Sequence, residues 1–535
     1  MPDYIETIPR VGYRFVAEVR EVCQEVTPLI VEKHTLSRTV IEEEIARDPR
    51  DTVNSTALQQ SSLVSLRSTL ASRAVAVLSG VCVLLALALG SVGYLRRGEH
   101  RQPATTGTLP REIHSLAVLP LRSLVADADS TPLRLGMTDA VITKLGSLGK
   151  VTIRPISAVT RYLDTQENSL DVGRALKVDA VLEGSLQRAN GRMRVTLRLI
   201  DVATGSQIWA GTFDEPDGDV FKLQDSMSQQ LAQVLPLDLT SSDHLLLTKR
   251  ETQSPEAYAL YAKGNYFWSR RGLEVGKSIE YYRRAIELDP NFARAYVGLA
   301  NVYAVTSSRS PEAQSLIEKA LQLDSTLAEA HATYGFIKMF HHWDWIGAER
   351  ELDQAIALNP NSPVAHHWKG VYFSLRGKLD EAKAEMHRAL DLDPLSLIIG
   401  ADIAQLHYFA REYAEAEAQC RKVLEMDPNF MIAHLYLYFI YLRQGKLGEA
   451  RRAMVRVNQV NQVNQAEGPP DNAINNAISH SVAGHNDLAI ASLERALETH
   501  MFLLPYINVD PLYDGLRSDP RYQSLLQQMN LAPGS

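Results

Sequence analysis

The sequence predicts a multidomain chain made of a single membrane-spanning helix, an α/β domain and an all-α repeat solenoid, with a β-hairpin ahead of them. Three observations carry this reading. Residues 74–95, "AVAVLSGVCVLLALALGSVGYL", hold no charged residue. Strand-like and helix-like patterns alternate over residues 112–240. From 250 to 500, variants of the phrase "AIELDPN" return about every 34 residues. At 535 residues the chain is too long for one core, so several domains are expected. Its composition, 45% hydrophobic and 22% charged, is that of a folded protein, and its net charge of −8 argues against a surface that coats nucleic acid throughout.

The first element, residues 1–20, contains "YIETIPRVGYRF". Tyr4 to Ile8 have strand propensity, Pro9–Arg10–Val11–Gly12 makes a turn and Tyr13 to Val16 return. A lone hairpin is marginal in water, so it reads as the end of a larger domain. Residues 1–73 carry nine Lys/Arg against eleven Asp/Glu, a net −2, so the segment has no basic footprint of its own. Residues 21–73 read as a linker, with an acidic stretch "IEEEIARDPRD" and a Ser/Thr/Gln-rich tract.

The apolar run 74–95 is long enough, at about 1.5 Å per residue, to cross a bilayer core. Arg73 and Arg96–Arg97 bound it, and Tyr94 stands where an interfacial aromatic belongs. Arg67 and Arg73 lie before it; Arg96, Arg97, Arg101 and Arg111 come after it. Taken alone, that asymmetry would place the C-terminal side in the cytoplasm. Residues 96–111 form a second linker.

Over 112–240 the order is β-α-β-α-β-β-β-α. "SLAVLPL" is an apolar run for a strand buried on both faces, and Asn190–Gly191 joins two alternating strands as a hairpin. A mixed sheet with helices is expected, with Trp209 in its core. Within 250–500, small residues recur at Ala285, Ala320, Ala355, Ala389 and Val423, and helix stops at Pro290, Ser325, Pro360, Pro394 and Pro428. Two helices per period of 34 is the tetratricopeptide (TPR) signature, with about seven helix pairs expected. In the clearest unit Gly370, Ala382 and Ala389 take the close-contact positions, Phe373 and Met386 fill the large ones, and Pro394 ends the second helix. Stacked pairs share a core and present an inner groove for a protein or peptide ligand. Residues 501–535 read as a helical cap on the array.

No GxxxxGK[ST], GxSxG or HExxH motif is present, and Cys23, Cys82 and Cys420 show no zinc spacing, so neither catalysis, cofactor nor metal is expected. The pairs His341–His342 and His366–His367 stand near Trp343, Trp345 and Trp368. Neighbouring residues on a helix point about 100° apart, which favours groove or surface roles over metal ligation.

Two resemblances add to this. The landmarks "LAVLPL", "GMTDAVITKL", "DVGRALKVDAVLEGSLQR", "RVTLRLIDVATGSQIWA" and "FKLQDSMSQQLA" resemble the TolB amino-terminal-like domain, which implies a non-catalytic module of envelope-associated proteins. "YIETIPRVGYRF" resembles the wing of the OmpR/PhoB-type winged-helix DNA-binding domain, matching at Tyr4, Ile5, Thr7, Arg10, Gly12, Tyr13, Arg14 and Phe15. The resemblance implies that Arg10, Gly12, Tyr13 and Arg14 serve DNA binding only if the winged-helix part missing before Met1 is restored, so the start is expected to be truncated. Together the parts resemble a ToxR/CadC-like membrane transcriptional regulator. That architecture implies a bacterial inner membrane protein crossing once, with its N-terminus in the cytoplasm and residues 98–535 in the periplasm, against the arginine count. A homodimer is compatible with it. The competing reading is a membrane-tethered TPR scaffold that does not bind DNA.

Overall fold

β1 (Ile5–Ile8) and β2 (Gly12–Phe15) form an antiparallel hairpin in which Ile5 pairs with Phe15, Glu6 with Arg14, Thr7 with Tyr13 and Ile8 with Gly12. Gly12 therefore opens the returning strand instead of sitting inside the turn. The structure, a computed structural model, describes residues 5–8, 12–15, 112–123, 130–235, 237, 239–270, 275–306, 310–463 and 473–531. Arg10 and the apolar run 74–95 lie outside these residues. Among the described residues no helix is long and apolar enough to cross a membrane. Residues 1–105 and 106–535 are separate units.

The second unit opens with a mixed sheet built from β3 (Ser115–Val118), β4 (Arg122–Ser123), β5 (Thr152–Ile153), β6 (Ala180–Ala189), β7 (Arg192–Asp201) and β8 (Gln207–Pro216) in the order β5-β3-β6-β7-β8, with β4 beside β6. β3 runs parallel to both β5 and β6, while β6, β7 and β8 form an antiparallel meander. The sequence explains the difference. β3 is an apolar run, and Leu116, Ala117 and Val118 are all buried. β7 alternates, sending Met193, Val195, Leu197 and Leu199 inward and its arginines outward to Asp214 and Glu183. α1 (Ser130–Gly146), α2 (Ile156–Thr160), α3 (Ser169–Ala175) and α4 (Val220–Val234) pack on the sheet.

Trp209 departs from its expected core position. It is half-buried on the outer strand β8, its indole lying across Gly211, where a Cβ would come within 2.5 Å of the ring. A further helix, α5 (Ser241–Thr248), fills the interval between the two predicted domains. Thr240 and Asp243 close a reciprocal capping box at its start.

Seven helix pairs come next among the described residues: α6 (Pro255–Arg270) with α7 (Val275–Leu288), α8 (Ala293–Thr306) with α9 (Ser310–Leu323), α10 (Ala328–His341) with α11 (Trp345–Leu358), α12 (Pro363–Leu375) with α13 (Leu379–Leu392), α14 (Leu397–Phe409) with α15 (Tyr413–Met426), α16 (Met431–Arg443) with α17 (Leu447–Val463) and α18 (Ala473–Val482) with α19 (Asn486–Glu498). Close approach explains their small residues. A Cβ on Gly370 would meet Met386 Cγ at 2.8 Å, and Ala355, Ala382 and Ala389 are fully buried. Pro360, Pro394 and Pro428 each follow the residue that caps a second helix. Cys420 is buried in this core, which pushes its thiol up to about 12.

The array docks on the sheet domain. Tyr258 of α6 donates to the Gly136 carbonyl of α1 at 2.6 Å, and a Cβ on Gly136 would meet Ala262 Cβ at 2.9 Å. Arg294 reaches Thr143 and Glu251, and also pairs with Glu329. Arg154 donates to the carbonyls of Leu176 and Lys177 and of Leu392 at the end of α13, where Ser157 also binds Asp393.

Candidate binding groove

The first helix of each pair lines one face of the array, the inner one in a solenoid of this kind. Over α10 to α18 that face is occupied by the chain itself. The segment expected as a terminal cap packs on the last helix pair, where Ser481 donates to the Leu512 carbonyl and Asp487 pairs with Arg521, and also runs along the groove, through 3-10 turns at Leu504–Asn508 and Pro511–Leu516, before ending in α20 (Pro520–Gln528).

Its contacts reach from α10 to α18. Phe502 stacks on Phe340 at 4.5 Å between ring centroids, and also packs on Phe336. Tyr506 packs between Phe340 and Phe409 at 6.0 and 5.9 Å. The Asn508 amide donates to the Leu375 carbonyl at 2.8 Å. Asp510 accepts from the Tyr408 hydroxyl at 2.7 Å, Asp514 pairs with Arg411 at 2.7 Å, and Ser481 donates to the Leu512 carbonyl at 2.6 Å. α20 then folds back. Tyr522 donates to the Ile507 carbonyl, and the Trp345 indole donates to the Met529 carbonyl at 2.7 Å. Apolar side chains supply the burial: Leu504, Ile507, Leu512, Leu516 and Met529 are all buried. Burial also pushes the Asp510 carboxyl up to about 6, although Tyr408 and the Leu512 amide bind its charged form.

The turn between the helices of a pair carries a left-handed residue, Gly377, Gly445 and Gly484 in three pairs. In two other pairs the position belongs to Trp343, at φ 51°, and Arg411, at φ 65°. Both touch the groove segment: Trp343 stacks on His500 at 4.3 Å and accepts from Asn530, and Arg411 holds Asp514.

Of the histidines singled out in the sequence, His341, His366 and His367 make structural hydrogen bonds. His366 contacts Glu385 through Nδ1 and the Pro360 carbonyl through Nε2; His331 makes the same two contacts with Glu351 and the Ser325 carbonyl. His434 places Nε2 on the Pro428 carbonyl. The stop positions at 325, 360 and 428 thus also serve as acceptors for the next helix, a pairing that sequence reasoning misses although its spacing of six residues recurs there. His367 contacts Asp402, which also accepts from Tyr436, and His341 contacts the Ala304 carbonyl, its pKa lowered by burial. Among the described residues no group of three or more His, Cys, Asp or Glu is placed to hold a metal. Gly12, Tyr13 and Arg14 lie on β2, in the other unit from the groove.

Comparison with known proteins agrees with this division. Residues 112–231 match the family described as HilA/YgeH-like transcriptional regulator, second domain. Residues 401–457 and 274–292 match tetratricopeptide repeats. The sheet domain is thus similar to a transcriptional-regulator domain and is followed by a TPR protein-interaction region. A protein of Rhizobium meliloti (strain 1021) named "Putative adenylate cyclase 3" is 28% identical over 232 residues, 41% of this chain and 39% of its own length. The anaphase-promoting complex subunit CDC16 of Saccharomyces cerevisiae is 26% identical over 40% of this chain and 26% of its own. The chain therefore spans well under two thirds of these curated relatives. The crystal structure of PilW, a type IV pilus biogenesis factor, aligns with 38% of this chain and 94% of its own at 17% identity and a TM-score of 0.32.

Proposed function

We propose that the chain is a membrane-anchored, signal-responsive transcriptional regulator whose TolB-like sheet domain and TPR array together form a sensing and protein-interaction region outside the cytoplasm. The observation that carries this is the match of residues 112–231 to a transcriptional-regulator domain, in a chain where an uncharged apolar run precedes it and a TPR array comes after it. On this reading residues 74–95 cross the bacterial inner membrane once, the wing-like hairpin faces the cytoplasm, and Arg10 and Arg14 contact phosphate only within a complete winged-helix domain. The array takes a protein or peptide ligand, and homodimerisation would bring two hairpins to a paired DNA site.

Topology tests the reading. Reporters fused after Ser535, one active only in the periplasm and one only in the cytoplasm, should give signal from the periplasmic reporter alone; signal from the cytoplasmic one overturns the assignment. A second reading, a membrane-tethered scaffold without DNA binding, is favoured by the −2 charge of residues 1–73, which leaves little to release counterions from DNA. A salt-dependent gel shift by the full chain in detergent would remove that alternative.

A further inference from the structure

We infer that residues 502–514 are a tethered occupant of the TPR groove, and that the groove's partner in trans is a peptide of the same chemistry: two aromatic anchors and a carboxylate at four-residue intervals. Within the segment these are Phe502, Tyr506 and Asp510, each seated on a different part of the inner face. The segment has the form of a bound peptide. It comes after the last helix pair and crosses the repeats in short 3-10 turns before α20 returns to pack on α19.

A second, independent observation lies in the turns. Two of the turns that hold the segment carry Trp343 and Arg411 at the left-handed position and so retain unfavourable backbone, whereas the pairs that hold it through Leu375 and Ser481 carry Gly377 and Gly484. The seat is also incomplete: the Trp343 indole nitrogen and the Tyr513 hydroxyl are buried without a hydrogen-bond partner. Release into water would satisfy both, which offsets part of the apolar burial that holds the segment in place. A tethered segment competes at an effective concentration of about a millimolar, so a trans partner prevails only with more contacts or after the tether is weakened.

The inference rests on the array being the protein-interaction region and is independent of any role in DNA or membrane binding. It is tested by fluorescence anisotropy with a labelled peptide of residues 499–531 and the purified full chain. Wild type should bind weakly. The double variant Phe502→Ala/Tyr506→Ala should bind at least tenfold more tightly, and a peptide carrying the same two changes should not bind it. Asp514→Ala in the chain, which leaves the groove intact but removes the segment's ion pair with Arg411, should also raise affinity for the unchanged peptide while retaining native helical circular dichroism. Equal affinity for wild type and variants overturns the inference, as does loss of native helical circular dichroism in both variants without denaturant, which would make the segment an integral part of the array. A topology or reporter experiment that fails leaves the peptide result standing, so the two readings fail separately.

Discussion

Asp510 shows how one residue couples the groove segment to the array. Its carboxyl is buried, accepts from Tyr408 and the Leu512 amide, and has Arg517 and Asp514 as charged neighbours. Tyr408→Phe removes one donor and should lower stability by about 1–3 kcal/mol in urea unfolding. The pH dependence follows from its pKa of about 6, above the roughly 3.9 of a free carboxyl. Between those values the folded chain binds more protons than the unfolded one, so stability falls as pH rises from about 4 to about 6. Asp139, buried near Arg294, Glu251 and Glu329 and also pushed up to about 6, adds to the same step. His331 acts at higher pH. Its hydrogen bond to Glu351 raises its pKa, so the contribution is complete below about 6.5 and lost as pH rises through the folded value. Unfolding midpoints measured across this range should fall in two steps, with Asp510→Asn reducing the first and His331→Gln the second.

At the scale of elements, the contact between α1 and α6 is set by Gly136. Gly136→Val forces a methyl group against Ala262 and should cost about 1–3 kcal/mol, read as faster hydrogen exchange in both helices while the remaining pairs keep their protection. The order of strands and helices is legible because each carries its own period: the alternation of β7, the apolar run of β3 and the small residues every 34 positions act locally. The capping box of α5 is equally local, Thr240 followed three residues later by Asp243, but it falls in an interval outside both the sheet pattern and the repeat, where no period draws attention to a helix. Trp209 defeats the sequence because an alternating pattern reports which face a residue takes, not whether its strand lies at the edge of the sheet. The groove segment is illegible for a different reason. Its turns and Asp caps are visible in "INVDPLYDGLRSDP", but Tyr408 and Asp510 are separated by 102 positions, and no periodicity records such a pairing.

At the scale of the molecule, a solenoid is held together by contacts between successive repeats, and its parts can open one at a time. Here residues 500–531 touch five of the seven described pairs, from Trp343 to Ser481. Removing residues 500–535 should therefore lower the unfolding midpoint and broaden the urea transition, because pairs that now open together would separate. The same crossing has a mechanical consequence. A chain of repeats that touch only their neighbours bends and stretches like a spring, whereas a strand fastened along its inside acts as a tie rod. While the rod is seated, a pull on α19 reaches α10 without extension of the repeats between them. Once it leaves, the array becomes compliant, and the same pull is absorbed along its length.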